Sequence, residues 1–332
     1  MSPPAIVVET SGSEGEAKKV ALSYAMLRAS ARMGQQLEEL RAGDCWLNCL
    51  PQFHVGGLAI HYRCEEAGAS MLLHRDFDPA RIERELDNGS VTHLSLVPVM
   101  LAKLLEQYGG RPAPQPLRTV LIGGDRLPKP LAERAVATSW PIVVSYGMTE
   151  TASRITMLRL CRENIERWEE SDVGPPLPGV TLSIGEQGAV HIQSDRLFPG
   201  AVQALISADR GAIDEAGHLH LYGRLDQQIL SGGELIDPLE VEQRMLQCPW
   251  ITGVAITELP DPQWGARIVA VVKSEYPIED LRLWTKKQLP GYLRPRAFVR
   301  VAQFPRGKTG KLDRRGLKAL VASTIECGEG SW

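Results

Sequence analysis

A chain of 332 residues has room for about two domains of ordinary size. Its hydrophobic fraction of 43% supplies sizeable cores, and a net charge of −3 argues against a nucleic-acid or anionic-membrane partner. No run reaches the roughly 18 apolar residues of a membrane span. The N-terminus has no signal-peptide pattern, and six scattered cysteines read as reduced thiols, so a cytoplasmic protein is expected.

In chain order, strand-like Ala5–Glu9 and Val20–Ser23 flank a loop rich in Ser, Thr and Gly. Strand-like and helix-like segments then alternate: Cys45–Leu50 and Gly56–Gly68, Ser70–Leu73 and Pro79–Asp87, Val91–Leu96 and Val99–Tyr108, Leu117–Ile122 and Pro128–Thr138, then Ile142–Ser145. Pro128 is expected as the first residue of its helix. This βα alternation predicts an α/β fold with a layered, mostly parallel sheet. Ligands on such sheets sit at the carboxyl ends of the strands. The loops Gly123-Gly124-Asp125 and Tyr146–Glu150 both follow strands and fall on that edge. From Leu177 the texture turns to short strands, Val180–Ile184, Ala189–Gln193 and His218–Tyr222. A compact α+β unit follows Asp226, with helices over Pro238–Gln247 and Ile278–Gln288 and strands over Ile251–Glu258 and Arg267–Lys273. The expected division is a large domain over residues 1–225 and a small mobile domain over 226–332.

The loop Thr10-Ser11-Gly12-Ser13-Glu14-Gly15-Glu16-Ala17-Lys18 has glycines that let backbone N–H groups turn toward an anion, and hydroxyls that add donors. Three further segments stand in order: Tyr146-Gly147-Met148-Thr149-Glu150, then Tyr222-Gly223-Arg224-Leu225-Asp226 running on to Ser231-Gly232-Gly233-Glu234, then Pro305-Arg306-Gly307-Lys308-Thr309-Gly310-Lys311. Together they resemble the signatures of the adenylate-forming superfamily of acyl-CoA ligases. Leu50–Gly57, Thr92–Pro98, Val120–Gly124 and Asp172–Gly179 are most similar to its o-succinylbenzoate–CoA ligase branch, in menaquinone and phylloquinone synthesis.

The resemblance implies an enzyme that joins a small carboxylic acid to CoA at the expense of ATP, with Mg²⁺ on the phosphates. Thr10, Ser11, Gly12, Ser13, Gly15 and Lys18 would wrap phosphate. Gly123, Gly124 and Asp125 would pass over adenine, with Tyr146, Gly147 and Met148 beside it. Thr149 would position the α-phosphate and Glu150 would hold the metal. His54, next to Phe53, would line and gate the acyl pocket. Asp209 and Arg224 would take the ribose, Asp226 would be the hinge, and Gly232 and Gly233 would line the pantetheine tunnel. Lys311 would bridge the attacking carboxylate and the α-phosphate.

Two features depart from the pattern. Glu14 stands where the family carries a hydroxyl and would repel triphosphate. The phosphate loop starts at Thr10, whereas family members carry a long portion before it. On that comparison much of the first subdomain would be absent, leaving apolar surface for a second copy or a partner chain. Three readings stay open at this point: an o-succinylbenzoate–CoA ligase; another acid ligase or a carrier-protein adenylation domain; and a non-catalytic nucleotide-binding remnant.

Overall fold

The structure is a computed structural model that describes residues 5–10, 18–198, 204–307 and 312–326. It divides into two compact units, Met1–Ser207 with Gly211–Leu221, and Ala208–Arg210 with Tyr222–Trp332.

The first unit opens with an antiparallel pair, β1 (Ala5–Thr10) and β2 (Lys18–Ser23), followed at once by helix α1 (Tyr24–Glu38). Then come β3 (Cys45–Asn48), α2 (Val55–Ala67), β4 (Ser70–Leu73), α3 (Pro79–Asp87), β5 (His93–Leu96), α4 (Pro98–Tyr108), β6 (Thr119–Ile122), α5 (Lys129–Ala137), β7 (Ile142–Met148) and β8 (Ser153–Arg159). The strands form one six-stranded sheet in the order β4-β3-β5-β6-β7-β8. Every pairing is parallel except β7 with β8. β5 and β6 are buried at every residue. The Val120–Ile122 run of β6 is what a parallel sheet covered on both faces requires, whereas β5 buries the polar His93 and Ser95 between its leucines.

Local chemistry sets the helix ends. Asp78 caps α3 by accepting from the Ala80 and Arg81 N–H groups, with Pro79 as first residue. α2 stops at Gly68, in the left-handed region at φ 66°. Pro128 stands outside α5 in an extended conformation, and the helix begins at Lys129. It is therefore the cap and not the first helical residue.

Among the elements of the six-stranded sheet and the helices around it, the sequence reading leaves out α1 and β8. The buried residues of α1 are Leu27, Ser30, Ala31, Met33, Gly34 and Glu38, so two polar residues and a glycine interrupt its apolar stripe. β7 also runs three residues beyond Ser145, so Tyr146, Gly147 and Met148 belong to a strand and not a loop. Pairing with β8 outweighs their loop-like composition.

A second sheet has the order β12-β11-β10-β9, built from β9 (Thr181–Ile184), β10 (Ala189–Gln193), β11 (Leu205–Ile213) and β12 (Leu219–Arg224).

The second unit contains β13 (Ile229–Ser231), β14 (Glu234–Ile236), α6 (Pro238–Met245), β15 (Gly253–Asp261), β16 (Gly265–Lys273), α7 (Ile278–Gln288), β17 (Ala297–Arg300) and α8 (Arg314–Glu326). β15 and β16 are antiparallel, and β16 and β17 parallel. Alternate residues of β16 supply two cores. Ile268, Ala270 and Val272 join Val241, Met245, Leu281 and Phe298 on one face. Val269 and Val271 join Val299, Leu317 and Val321 of α8 on the other.

Candidate active site

β3, β6 and β7 are parallel, so their carboxyl ends share one edge of the sheet. The segments after Asn48 and Ile122 and the end of β7 therefore bring His54, Gly123-Gly124-Asp125 and Tyr146–Glu150 to that edge.

The end of β7 is the most constrained of these. The pairing with β8 shifts register between Tyr146 and Gly147. A side chain on Gly147 would run into the Ser153 carbonyl, so only glycine fits there. Thr149–Thr151 form a single 3-10 turn. Thr149 does not supply its cap. The buried Thr151 hydroxyl instead accepts from the Met148 N–H at 3.1 Å and lies 2.6 Å from Ser153 O. Ala152 (φ 53°) and Ser153 (φ 106°) then take backbone conformations that non-glycine residues rarely adopt. The turn presents Glu150 toward β2, where a carboxylate oxygen lies 3.0 Å from Lys18 Nζ. Lys18 pairs in register with Thr10. Two expected phosphate-loop positions and the expected metal ligand thus come together. Ser11, Gly12, Ser13, Gly15 and Glu14 lie outside the described residues, as does Lys311.

At the neighbouring strand end, Gly124 has φ 83° and a Cβ on Gly123 would be 3.0 Å from Ser145 Oγ, so the loop backbone lies close against β7. Asp125 accepts from the Arg126 N–H at 2.9 Å. His54 precedes α2 in extended conformation without capping it, and its ring lies 4.5 Å from that of Phe53, which is 62% exposed. Asn48 holds this loop, its amide nitrogen donating to Gly57 O at 3.0 Å and its oxygen accepting from the Leu50 N–H at 3.1 Å.

In the second unit Arg224 ties two other candidates together. Its Nε and Nη2 donate to the two Asp226 oxygens at 2.9 and 2.7 Å, and Nη1 donates to Asp209 at 3.2 Å. Gly232 (φ 61°) and Gly233 (φ 87°) form the two-residue turn between β13 and β14, whose handedness requires left-handed residues. The Gly232 N–H donates to Trp264 O at 2.9 Å, and a Cβ on Gly232 would be 2.5 Å from the Trp264 ring.

Sequence reasoning missed a buried charge cluster behind the β7–β8 turn. Glu38 of α1 meets Arg154 of β8 at 2.7 Å and Arg63 of α2 at 3.8 Å. Arg63 Nη2 donates to Ser153 Oγ at 2.9 Å, and its guanidinium lies 5.3 Å from the Trp46 ring. Burial, then the neighbouring Arg154 charge, pushes Arg63 down to about 9. Burial also lowers Arg154. The sequence offers no signal for this cluster, because charged side chains spread over three elements read as solvent-facing.

As a donor set for magnesium the site is suitable. The Glu150 carboxylate is 26% exposed and Thr149 adds a hydroxyl oxygen. Among the described residues no group of three or more His, Cys, Asp or Glu could form a metal cage. Mg²⁺ is held in just this way, by one or two carboxylates together with substrate phosphates and water.

A mostly parallel sheet with these loops on its carboxyl edge, followed by a small α+β unit, is the two-domain architecture of an adenylate-forming enzyme. The AMP-binding enzyme family matches residues 2–195, and the AMP-binding enzyme C-terminal domain matches residues 240–311. The chain belongs to this family. It is 33% identical over 339 residues to a 2-succinylbenzoate–CoA ligase of Bacillus cereus, covering 95% of this chain and 70% of that protein. It resembles the o-succinylbenzoate CoA synthetase of Bacillus subtilis in complex with the acyl-adenylate OSB-AMP, with TM-score 0.82 and 28% identity, covering 94% of this chain and 68% of that one. The same enzyme in complex with ATP and magnesium gives TM-score 0.81 and 28% identity over 94% of this chain and 69% of that one.

Proposed function

We propose that this chain is an ATP-dependent acid–CoA ligase, with o-succinylbenzoate as the acid. The observation that carries the reading is the meeting of Lys18 and Glu150 at the carboxyl edge of the sheet, beside Thr149. A cation, a carboxylate and a hydroxyl lie where a nucleotide triphosphate would need a counter-charge, a metal ligand and a positioning donor. The relatives' names supply the substrate.

In the first half-reaction a carboxylate oxygen of the acid attacks the α-phosphorus of ATP. An acyl–phosphate bond forms and pyrophosphate leaves. Lys18 and the loop from Thr10 through Ser11, Gly12, Ser13 and Gly15 hold the β- and γ-phosphates, and Thr149 orients the α-phosphate. Magnesium, when bound, neutralises phosphate charge. Glu150 is the residue that would hold it. Lys311 stabilises the charge that builds at phosphorus. Tyr146, Gly147 and Met148 with Gly123, Gly124 and Asp125 take the adenine, Asp209 and Arg224 the ribose, and His54 borders the acyl pocket. In the second half-reaction the CoA thiolate attacks the acyl carbon and AMP leaves. Asp226 acts as the hinge between the halves, and Gly232 and Gly233 border the pantetheine.

No helix among the described residues is long and apolar enough to cross a membrane. The free thiols Cys45, Cys49, Cys64, Cys161 and Cys248 support a reducing, cytoplasmic compartment. The test is pyrophosphate release with a panel of carboxylic acids, followed by detection of the CoA thioester. Release strongest with o-succinylbenzoate supports the reading. Release with another acid alone overturns the substrate. Nucleotide binding without any release overturns the enzyme.

A further inference from the structure

Asp237 does more than its place at a helix start requires. It precedes Pro238 and caps α6, one carboxylate oxygen accepting from the Leu239 N–H at 2.9 Å. An asparagine or a serine would cap as well. The carboxylate is nevertheless 3% exposed, and its second oxygen lies 2.8 Å from Arg210 Nη2 of β11. On β12, a Cβ at Gly223 would run into the same carboxylate, and the φ of 141° there is itself unfavourable for a residue with a side chain. One buried charge thus meets both strands. Arg210 Nε has no hydrogen-bond partner among the described residues, so Asp237 leaves part of the guanidinium's donor capacity unmet.

β11 and β12 are neighbours in the second sheet, and successive residues of a strand face opposite ways. Arg210 and Gly223 back onto Asp237. Their chain neighbours Asp209 and Arg224 turn to the other face, where Arg224 Nη1 donates to Asp209 at 3.2 Å. We propose that Asp237, through Arg210 and Gly223, is a positioning residue that fixes the spacing of Asp209 and Arg224 and so sets how tightly the ribose hydroxyls are held. This rests on the reading of Asp209 and Arg224 as the ribose site. Asp237 acts from the opposite face of the two strands. Its charge, and not its cap, carries the role, because only the charge reaches Arg210.

The measurement is calorimetric titration of the full chain with AMP and with its dideoxy analogue, which lacks both ribose hydroxyls. Neither has a β- or γ-phosphate, so the ratio of the two affinities reads the hydroxyls alone. The parent should prefer AMP by about tenfold or more, the scale of one hydrogen bond to a charged group. Asp237→Asn keeps the cap and removes the charge. Arg210→Gln removes the partner from a side chain that is 30% exposed, and it carries the test if the asparagine variant does not fold. Each should lower the preference by about threefold or more, the scale of a weakened hydrogen bond. Affinity for the dideoxy analogue should stay near the parent's. Arg210→Lys restores the charge without the planar fork and should recover part of the preference. Asp209→Asn is measured beside them. A parental preference in either folded variant, with a loss in Asp209→Asn, overturns the positioning role alone. A parent that does not distinguish the two nucleotides, or an Asp209→Asn variant that keeps the parental preference, overturns the ribose assignment and the positioning role together. An equal fall in affinity for both nucleotides shows a merely structural pair and also overturns the positioning role.

Discussion

Lys18 Nζ and a Glu150 carboxylate oxygen lie 3.0 Å apart although 132 residues separate them in the chain. The Lys18 side chain is 66% exposed. An exposed pair of this kind contributes only about 0.2–1 kcal/mol to stability. The pair therefore adds little to stability, and the role proposed for it is toward a ligand.

Glu150→Gln keeps the side chain's shape and removes its charge. Adenylation should slow and its Mg²⁺ requirement should rise. The thermal midpoint and the affinity for an acyl-adenylate analogue, which lacks pyrophosphate and its metal, should hardly move. Calorimetric titration of the analogue checks this. An equal loss of analogue binding would assign Glu150 to folding instead.

Lys311→Ala separates the half-reactions. A lysine that neutralises charge at phosphorus is needed only while that charge forms. Acid-dependent pyrophosphate release should fall by about 10²-fold or more, the scale of losing one electrostatic stabiliser. Thioester formation from a supplied acyl-adenylate should survive. A matching fall in both would remove the assigned role.

The first unit should lose stability on mild acidification. His93 is fully buried, with Nε2 on the Glu38 carbonyl at 2.7 Å and Nδ1 2.8 Å from the Thr92 hydroxyl. Burial pushes its pKa below the ordinary histidine value, and burial followed by the Arg81 charge does the same to His74. A depressed folded value means that the unfolded chain takes up the proton first. The stabilisation is therefore complete above about pH 6.5 and is lost as pH falls below it, by up to about 1.4 kcal/mol per pH unit for each histidine. Urea unfolding at pH 7, 6 and 5 should show this slope, and His93→Gln should make it shallower. Identical slopes in variant and parent would mean that His93 takes up no extra proton on unfolding.

Where the sequence was legible, each element carried its own signal. Ser70–Leu73, Pro79–Asp87 and Ile278–Gln288 match the observed bounds, because apolar runs or periodic stripes end at Gly, Pro or Asp. α8 carries no plain signal in the sequence, although Leu317 and Val321, four residues apart, are fully buried. The flanking Arg314, Arg315 and Lys318 mask that stripe. α1 was lost because Ser30, Gly34 and Glu38 sit on its core face. The site divides in the same way. Tyr146–Glu150 is contiguous and could be read directly, whereas Glu38, Arg63 and Arg154 become a cluster only once α1, α2 and β8 have packed together.

Glu14 lies between Thr10 and Lys18, in the segment proposed as the phosphate loop. The family carries a hydroxyl residue at this position. A carboxylate facing the triphosphate at about 4 Å would meet a repulsion on the order of a few kcal/mol at surface-like dielectric, before salt reduces it. Lys18 already spends part of its charge on Glu150 at 3.0 Å. A second carboxylate in the loop leaves still less positive charge for phosphate. Glu14→Thr restores a donor and removes the repulsion, so the KM for ATP should fall. The gain should be largest at low ionic strength, where screening is weakest. Affinity for the acyl-adenylate should stay the same, since it has no β- or γ-phosphate to repel. Steady-state kinetics at two salt concentrations decide the matter. A KM for ATP that does not change even at low salt would show that Glu14 never meets the triphosphate, and the assignment of residues 10–18 as the phosphate loop would fall with it.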